Sequence, residues 1–103
     1  MALPSLSPEQ RQAALDKAAV ARKRRAELKK SLKAGETRLS EVLTMAQDDE
    51  IVAKLRVSAL LESMPEIGTA KARAIMDRTG ISPSRRVGGL GPHQRQALTT
   101  LFC

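Results

Sequence analysis

Phe102 is the only aromatic residue in a chain of 103, which has no Trp and no Tyr. Its core must therefore come from Leu, Ile, Val, Met and Ala. The shortage also bears on function, because single-strand binders and RNA-recognition sheets stack bases on aromatic side chains. Cys103 is the only cysteine, which rules out an internal disulfide and a Cys-rich zinc site. It has no base partner nearby in sequence, and His93 is equally alone, with no second ligand beside it for a metal. No uncharged apolar stretch approaches the roughly 20 residues that span a bilayer. Met1–Ser5 lacks the basic and apolar regions of a signal peptide, so a cytoplasmic setting is expected. The Gly-Lys-Ser/Thr of a P-loop is also missing. Neither an enzyme nor a cofactor is expected.

Positive charge is what the chain has in excess. Lys and Arg number 18 against 11 Asp and Glu, giving +7. Residues 1–38 carry +6, residues 39–66 carry −4, and residues 67–103 return to +5. Two basic segments on one small body can form a continuous positive face, the usual footprint of polyanion binding. A soluble charged surface is the plainer explanation, since a net charge of about 2–8 is ordinary for a small domain.

The patterning is helical throughout. Ser7 reads as an N-cap, Pro8 as the first helical residue and Gln10 as the return partner of a capping box. No Gly or Pro follows until Gly35, and Ala, Lys, Arg and Leu dominate the stretch. The apolar residues Leu15, Ala18, Ala19, Ala26, Leu28 and Leu32 make a weak stripe, which predicts only partial docking. Arg22, Arg25 and Lys29 share one face at helical spacing, with Lys33 one turn on. Thr37 is expected to cap a helix carrying Leu39, Val42, Leu43 and Ala46. Asp48 and Asp49 should start a short one with Ile51, Val52 and Leu55. Ser58 is expected to cap a helix holding Leu60, Leu61 and Met64, closed by Pro65. Thr69 opens another, with Ala72, Ile75 and Met76 inward and Gly80 as its stop. Ser82–Gly91 reads as loop, and Gly91-Pro92 starts a last helix with Ala97, Leu98, Leu101 and Phe102 on its apolar side. The predicted fold is all-α, one structural domain overall: a long basic N-terminal helix over residues 1–38, packed on a compact body of short helices over 39–103.

Two turns carry the chemistry. In Met64-Pro65-Glu66-Ile67-Gly68-Thr69-Ala70-Lys71, a glycine turn feeds a helix start whose first amides have no helical partner. Directed N–H groups and the positive dipole end make such a start a phosphate site, and Lys71 adds a cation beside it. Gly68 supplies a conformation or a close approach that a side chain would block. The pattern resembles the helix-hairpin-helix class, and a tight helix–helix corner accounts for it equally well. Arg85-Arg86-Val87-Gly88-Gly89-Leu90-Gly91-Pro92-His93-Gln94-Arg95 repeats the logic. Leu90 is expected to plug the core while Gly88, Gly89 and Gly91 bring amides to the surface. Arginine suits phosphate forks and narrow minor grooves. A flexible loop with solvated arginines is the plainer alternative.

Over almost the whole chain these residues resemble the actinobacterial integration host factor family. The resemblance is carried by Leu3-Pro4, Gln10-Arg11, Ala13-Ala14-Leu15, Arg25-Ala26-Glu27-Leu28-Lys29, Val57-Ser58-Ala59-Leu60-Leu61-Glu62, Ile67-Gly68, Arg85-Arg86, Gly89-Leu90-Gly91 and Gln94-Arg95-Gln96-Ala97-Leu98. It implies a helical nucleoid-associated protein with a helix–two-turns–helix element like that of ribosomal protein S13. Such proteins bind duplex DNA with little sequence preference, alter its path or topology, and assist phage integrases. The implied contacts are Met64, Pro65, Ile67, Gly68, Thr69, Ala70 and Lys71 in one region. The other region holds Ser82, Ser84, Arg85, Arg86, Gly88, Gly89, Gly91, Gln94 and Arg95. At Gly88 the resemblance leads one to expect another basic residue, and its lack leaves more of the contact to Arg85 and Arg86. Arg22, Arg25, Lys29 and Lys33 are candidates for additional contacts. The partners so implied are double-stranded DNA, bound by a monomer, and phage integrase complexes. The competing expectations are a ribosomal-RNA binder of the S13 type, a helical protein-interaction module and a remnant of a base-repair enzyme.

Overall fold

The computed structural model describes residues 6–102; Leu3-Pro4 and Cys103 lie outside them. Six α-helices follow one another among the described residues: α1 (Pro8–Lys33), α2 (Leu39–Met45), α3 (Glu50–Ala53), α4 (Val57–Glu62), α5 (Thr69–Thr79) and α6 (Pro92–Leu101). A single 3₁₀ turn, Val87–Gly89, interrupts the loop before α6.

Local chemistry fixes most of the ends. Ser7 Oγ accepts from Gln10 N at 3.1 Å and Gln10 Oε1 from Ser7 N at 3.0 Å, closing the capping box of α1. Gly35, at φ 77°, and Gly80, at φ 69°, turn the chain out of α1 and α5 in the left-handed conformation glycine adopts freely. Asp49 caps α3, its Oδ1 accepting from Ile51 N at 3.0 Å and Val52 N at 3.4 Å.

Two expected caps are elsewhere. Thr37 does not cap α2: its hydroxyl lies 2.8 Å from that of Ser31, and Arg38 is the N-cap, its amide donating to Glu41 Oε1. Ser58 lies inside α4, which starts at Val57 because Val57 N donates to Arg85 O at 3.0 Å. Met64 falls beyond the end of that helix, half-buried against the core.

The core is aliphatic, as the composition requires. Leu32, Leu39, Leu60, Leu61, Leu98, Val42, Val52, Val57 and Val87 are its largest fully buried side chains. Burying each contributes about 1.5–3 kcal/mol. Among the described residues, every buried apolar residue except Leu32 comes from residues 39–98. Leu90 is buried, so it plugs the core as expected, whereas Leu101 is 43% exposed and leaves α6 held chiefly by Leu98. α4 packs on α5, α2 on α3 and α6, α5 on α6, and the 3₁₀ turn on α3.

α1 meets this body through α3 and only near its C-terminal end. Leu32 is buried and Leu28 half-buried, while Pro8–Val20 is exposed at every position. The Arg24 guanidinium pairs with Asp49, the residue that caps α3. The projecting helix stretches the molecule to 47 Å and raises its radius of gyration to 15.8 Å. A compact chain of this length would have about 13 Å.

The connection between α3 and α4 and the loop before α6 are joined by a short antiparallel bridge. Val57 N donates to Arg85 O at 3.0 Å and Val87 N to Leu55 O at 2.8 Å, so Arg56 and Arg86 stand directly opposite one another. Leu55, Val57 and Val87 point into the core from the same bridge, and both arginines point outward.

Candidate nucleic-acid interface

Between α4 and α5 the backbone makes two turns in succession. Met64 N donates to Leu61 O at 3.0 Å and Ile67 N to Met64 O at 3.2 Å. Pro65 is the second residue of the latter turn and Glu66 the third, at φ 65°. A residue there needs positive φ, and glycine or asparagine suits it best. The unusual conformation expected of Gly68 therefore belongs to Glu66. Ile67 is buried beneath the turn and anchors it.

Gly68 itself sits at φ −92° and ψ −178°, extended backbone open to any residue, and a Cβ there would touch nothing within 4 Å. The fold makes no demand for glycine at this position. What a Cβ would occupy is open space at the start of α5. There the amides of Thr69, Ala70 and Lys71 have no partner among the described residues, and the first helical bond is Ala72 N to Gly68 O at 2.9 Å. Thr69, Ala70, Lys71 and Pro65 are exposed. Two carboxylates, Glu62 and Glu66, flank the turn on its α4 side, so the positive character is one-sided.

The second region is built differently from its sequence image. Gly88 is the closest approach of the loop to α3: a Cβ there would lie 2.8 Å from Ala53 Cβ and 3.2 Å from Ala53 O. Packing keeps this position small, whatever stands there in relatives. The amides of this loop are largely spoken for. Gly89 N donates to Arg86 O at 2.9 Å and Gly91 N to Gln94 Oε1 at 3.1 Å. The next residue, Pro92, has no N–H, so only His93 and Gln94 offer amides at the start of α6. Gln94 also donates from Nε2 to Gly80 O at 2.9 Å, tying the end of α5 to the start of α6. It positions the loop rather than facing solvent. Arg95 is half-buried, and its Nε is buried without a hydrogen-bond partner.

Ser82, Ser84, Arg85 and Arg86 are exposed and with Gly89 line a shallow depression. Arg85 Nη1 donates to Gly89 O at 3.2 Å and Arg86 Nη1 to Lys54 O at 3.0 Å, so both guanidinium groups are held by backbone carbonyls. Each keeps further N–H donors for an incoming acceptor. Pro83 lines a small groove with Thr69 and Arg73, which brings this loop beside the first turn of α5. Of the α1 candidates, Arg22, Lys29 and Lys33 are exposed and Arg25 is half-buried. Lys54 and Arg56, which the sequence did not single out, stand beside Arg86.

A family model described as the S13-like H2TH domain matches residues 32–102. The chain is 56% identical to the integration host factor of Mycolicibacterium smegmatis over 102 residues, which cover 99% of this chain and 97% of that protein. The chain belongs to the integration host factor family. Another member, from Streptomyces coelicolor, is 53% identical over 99% of this chain and 95% of its own length. Among solved structures, the family member sIHF bound to an 8-base-pair palindromic DNA matches with a TM-score of 0.84 at 48% identity, covering 85% of this chain and 99% of that one. Family membership carries the all-helical architecture with it, helix–two-turns–helix element included. No helix among the described residues is long and apolar enough to cross a membrane.

Proposed function

We propose that the chain is a nucleoid-associated architectural protein that binds double-stranded DNA through its phosphate backbone with little sequence preference. The observation that carries this is the opening at Gly68. Three adjacent amides lie without partners behind a space that the fold does not use, at the positive end of an 11-residue helix. Phosphate is the group that such an opening fits, through directed N–H groups and the dipole. Lys71, Arg85 and Arg86 neutralise the neighbouring phosphates. The fixed guanidinium groups of the loop are suited to phosphate or to a narrow minor groove. A solved relative bound to a short DNA duplex supports the choice of polymer.

Two separated contact regions on one monomer let it bend or bridge DNA, which is how it would influence topology and assist site-specific recombination alongside phage integrases. Its place is then the nucleoid, in the cytoplasm. The S13-like character of the domain keeps one second reading in view, a ribosomal-RNA ligand gripped by the same turns.

The test is binding to several unrelated duplexes of about 25 base pairs, with a matched RNA duplex and a single strand, across a salt series. With five or six phosphates neutralised, log affinity should fall against log salt with a slope near −5, alike for every DNA duplex. Preference for the RNA duplex would move the ribosomal reading to first place, and no binding at low salt would refute both. Arg85→Ala with Arg86→Ala should weaken all sequences equally; a loss confined to one sequence would mean base readout.

A further inference from the structure

Arg56 and Arg86 are held face to face by the two backbone bonds of their bridge. In this type of antiparallel pair the Cα atoms lie only about 4.5 Å apart and the side chains share a face. Like charges in that position destabilise a fold. Arg25 and Lys29 of α1 close over the same place, and with Lys54 they line a cleft of about 280 Å³ that no acidic residue lines. Lys54 is engaged by Glu50 at 2.9 Å on the outer edge. Arg25, Lys29, Arg56 and Arg86 have no carboxylate partner among the described residues, and Arg86 is further fixed by its bond to Lys54 O.

Solvated surface cations would spread apart. These are gathered by backbone bonds and by the docking of α1, whose Arg24–Asp49 pair and Leu28–Leu32 contacts turn Arg25 and Lys29 over the bridge. Arg86 also lines the depression formed by Ser82, Ser84 and Arg85, so the cleft continues directly from that loop.

We infer that this cleft is a further phosphate-binding site for duplex DNA, seating the phosphodiester backbone as it leaves the Ser82–Gln94 loop and carrying it onto the Arg25–Lys29 face of α1. The inference rests on the duplex-binding reading above and adds to it Lys54 and Arg56, together with a defined role for two α1 cations. An arginine pair at fixed spacing offers the several N–H donors that phosphate oxygens accept, and a bound phosphate relieves the repulsion between them.

The experiment compares two double variants of the full chain on a duplex of about 25 base pairs. Arg25→Gln/Lys29→Gln removes cleft charge. Lys23→Gln/Lys30→Gln removes the same charge from the same helix, about a third of a turn round its axis. Equal melting temperatures show that both fold. The cleft pair should lose about sixtyfold in affinity at roughly 0.1 M salt, with a slope less steep by about 1.8, two phosphates' worth. The control pair should keep its slope. Arg56→Gln, on the facing wall, should by itself lose about eightfold. Equal losses from the two double variants, or an unchanged slope in the cleft pair, would overturn the site while leaving duplex binding intact. Failure of the unmodified chain to bind duplex at all would overturn both.

Discussion

Replacing Gly68 with alanine separates what the fold needs from what the ligand needs. In the protein itself the new Cβ meets nothing within 4 Å, and the backbone there, at φ −92° and ψ −178°, is one alanine adopts without strain. The substitution narrows the unfolded ensemble, which favours the native state by about 0.4–1 kcal/mol, while the loss of glycine at the N-cap of α5 opposes it by a similar amount, so the two nearly cancel. For a domain of this length the melting temperature should then move by less than about 5 °C in either direction. On the duplex-binding reading, the same methyl group takes up part of the open space through which a phosphate oxygen reaches the Thr69, Ala70 and Lys71 amides. Losing one phosphate should cost about eightfold in affinity at roughly 0.1 M salt and make the salt slope less steep by about 0.9. Circular-dichroism melts and fluorescence-anisotropy titrations of a labelled duplex measure both. A melting temperature lower by about 10 °C or more would mean that the fold, not the ligand, requires glycine here. Unchanged affinity and slope in a folded variant would mean that no phosphate sits on these amides.

The other glycine of interest should behave in the opposite way. Gly88→Ala drives a Cβ to 2.8 Å from Ala53 Cβ and should cost about 1–3 kcal/mol in thermal melts, part of it recovered when Ala53→Gly is added. Glu66→Asn places a residue tolerant of left-handed backbone at φ 65° and removes a carboxylate beside the first turn. It should stabilise by about 0.5–1 kcal/mol and tighten duplex binding, and weaker binding would show that Glu66 assists the contact. The hydrogen bond from Lys54, followed by the charges of Lys54 and Lys17, holds the Glu50 carboxyl below its ordinary range. Its contribution to stability is therefore present near neutral pH and lost as pH falls through the lowered value. Lys54→Gln should move the Glu50 midpoint upward in a carboxyl NMR titration and flatten that part of the acid limb of stability.

The helices were legible because their ends are written in nearby residues. Ser7, Gln10, Asp49, Gly35 and Gly80 each act on backbone groups within a few positions, so their types suffice. The missed starts have distant causes. α4 begins at Val57 through a bond to Arg85, and no property of the Ser58 hydroxyl reveals that. In the first turn the glycine drew attention, yet it is Pro65 that sets up the bend and Glu66 that takes the left-handed conformation. In the second, the run of glycines looked like exposed amides. Gln94 occupies one of them and Ala53 explains another, and both are facts of packing between segments far apart in sequence. Lys54 and Arg56 were hidden for the same reason. They sit in the acidic third of the chain and gain their basic neighbours only when the bridge to Arg86 forms.

α1 is a lever with its fulcrum near Leu28. From there to Pro8 the helix runs 20 residues, about 30 Å, exposed at every position from Pro8 to Val20, with the Lys17 charge still felt at Glu50. A tilt of about 10° at the fulcrum sweeps the far end through about 5 Å while moving the buried Leu32, about 6 Å beyond the fulcrum, by only about 1 Å. The anchoring contacts lie toward its C-terminal end: the Arg24 guanidinium on Asp49, Leu28 and Leu32 on the core, the Ser31–Thr37 hydroxyl pair and the half-buried Arg25. The angle at which this arm leaves the body is therefore fixed mainly from its second half, which leaves the first half free to meet a ligand along its whole circumference.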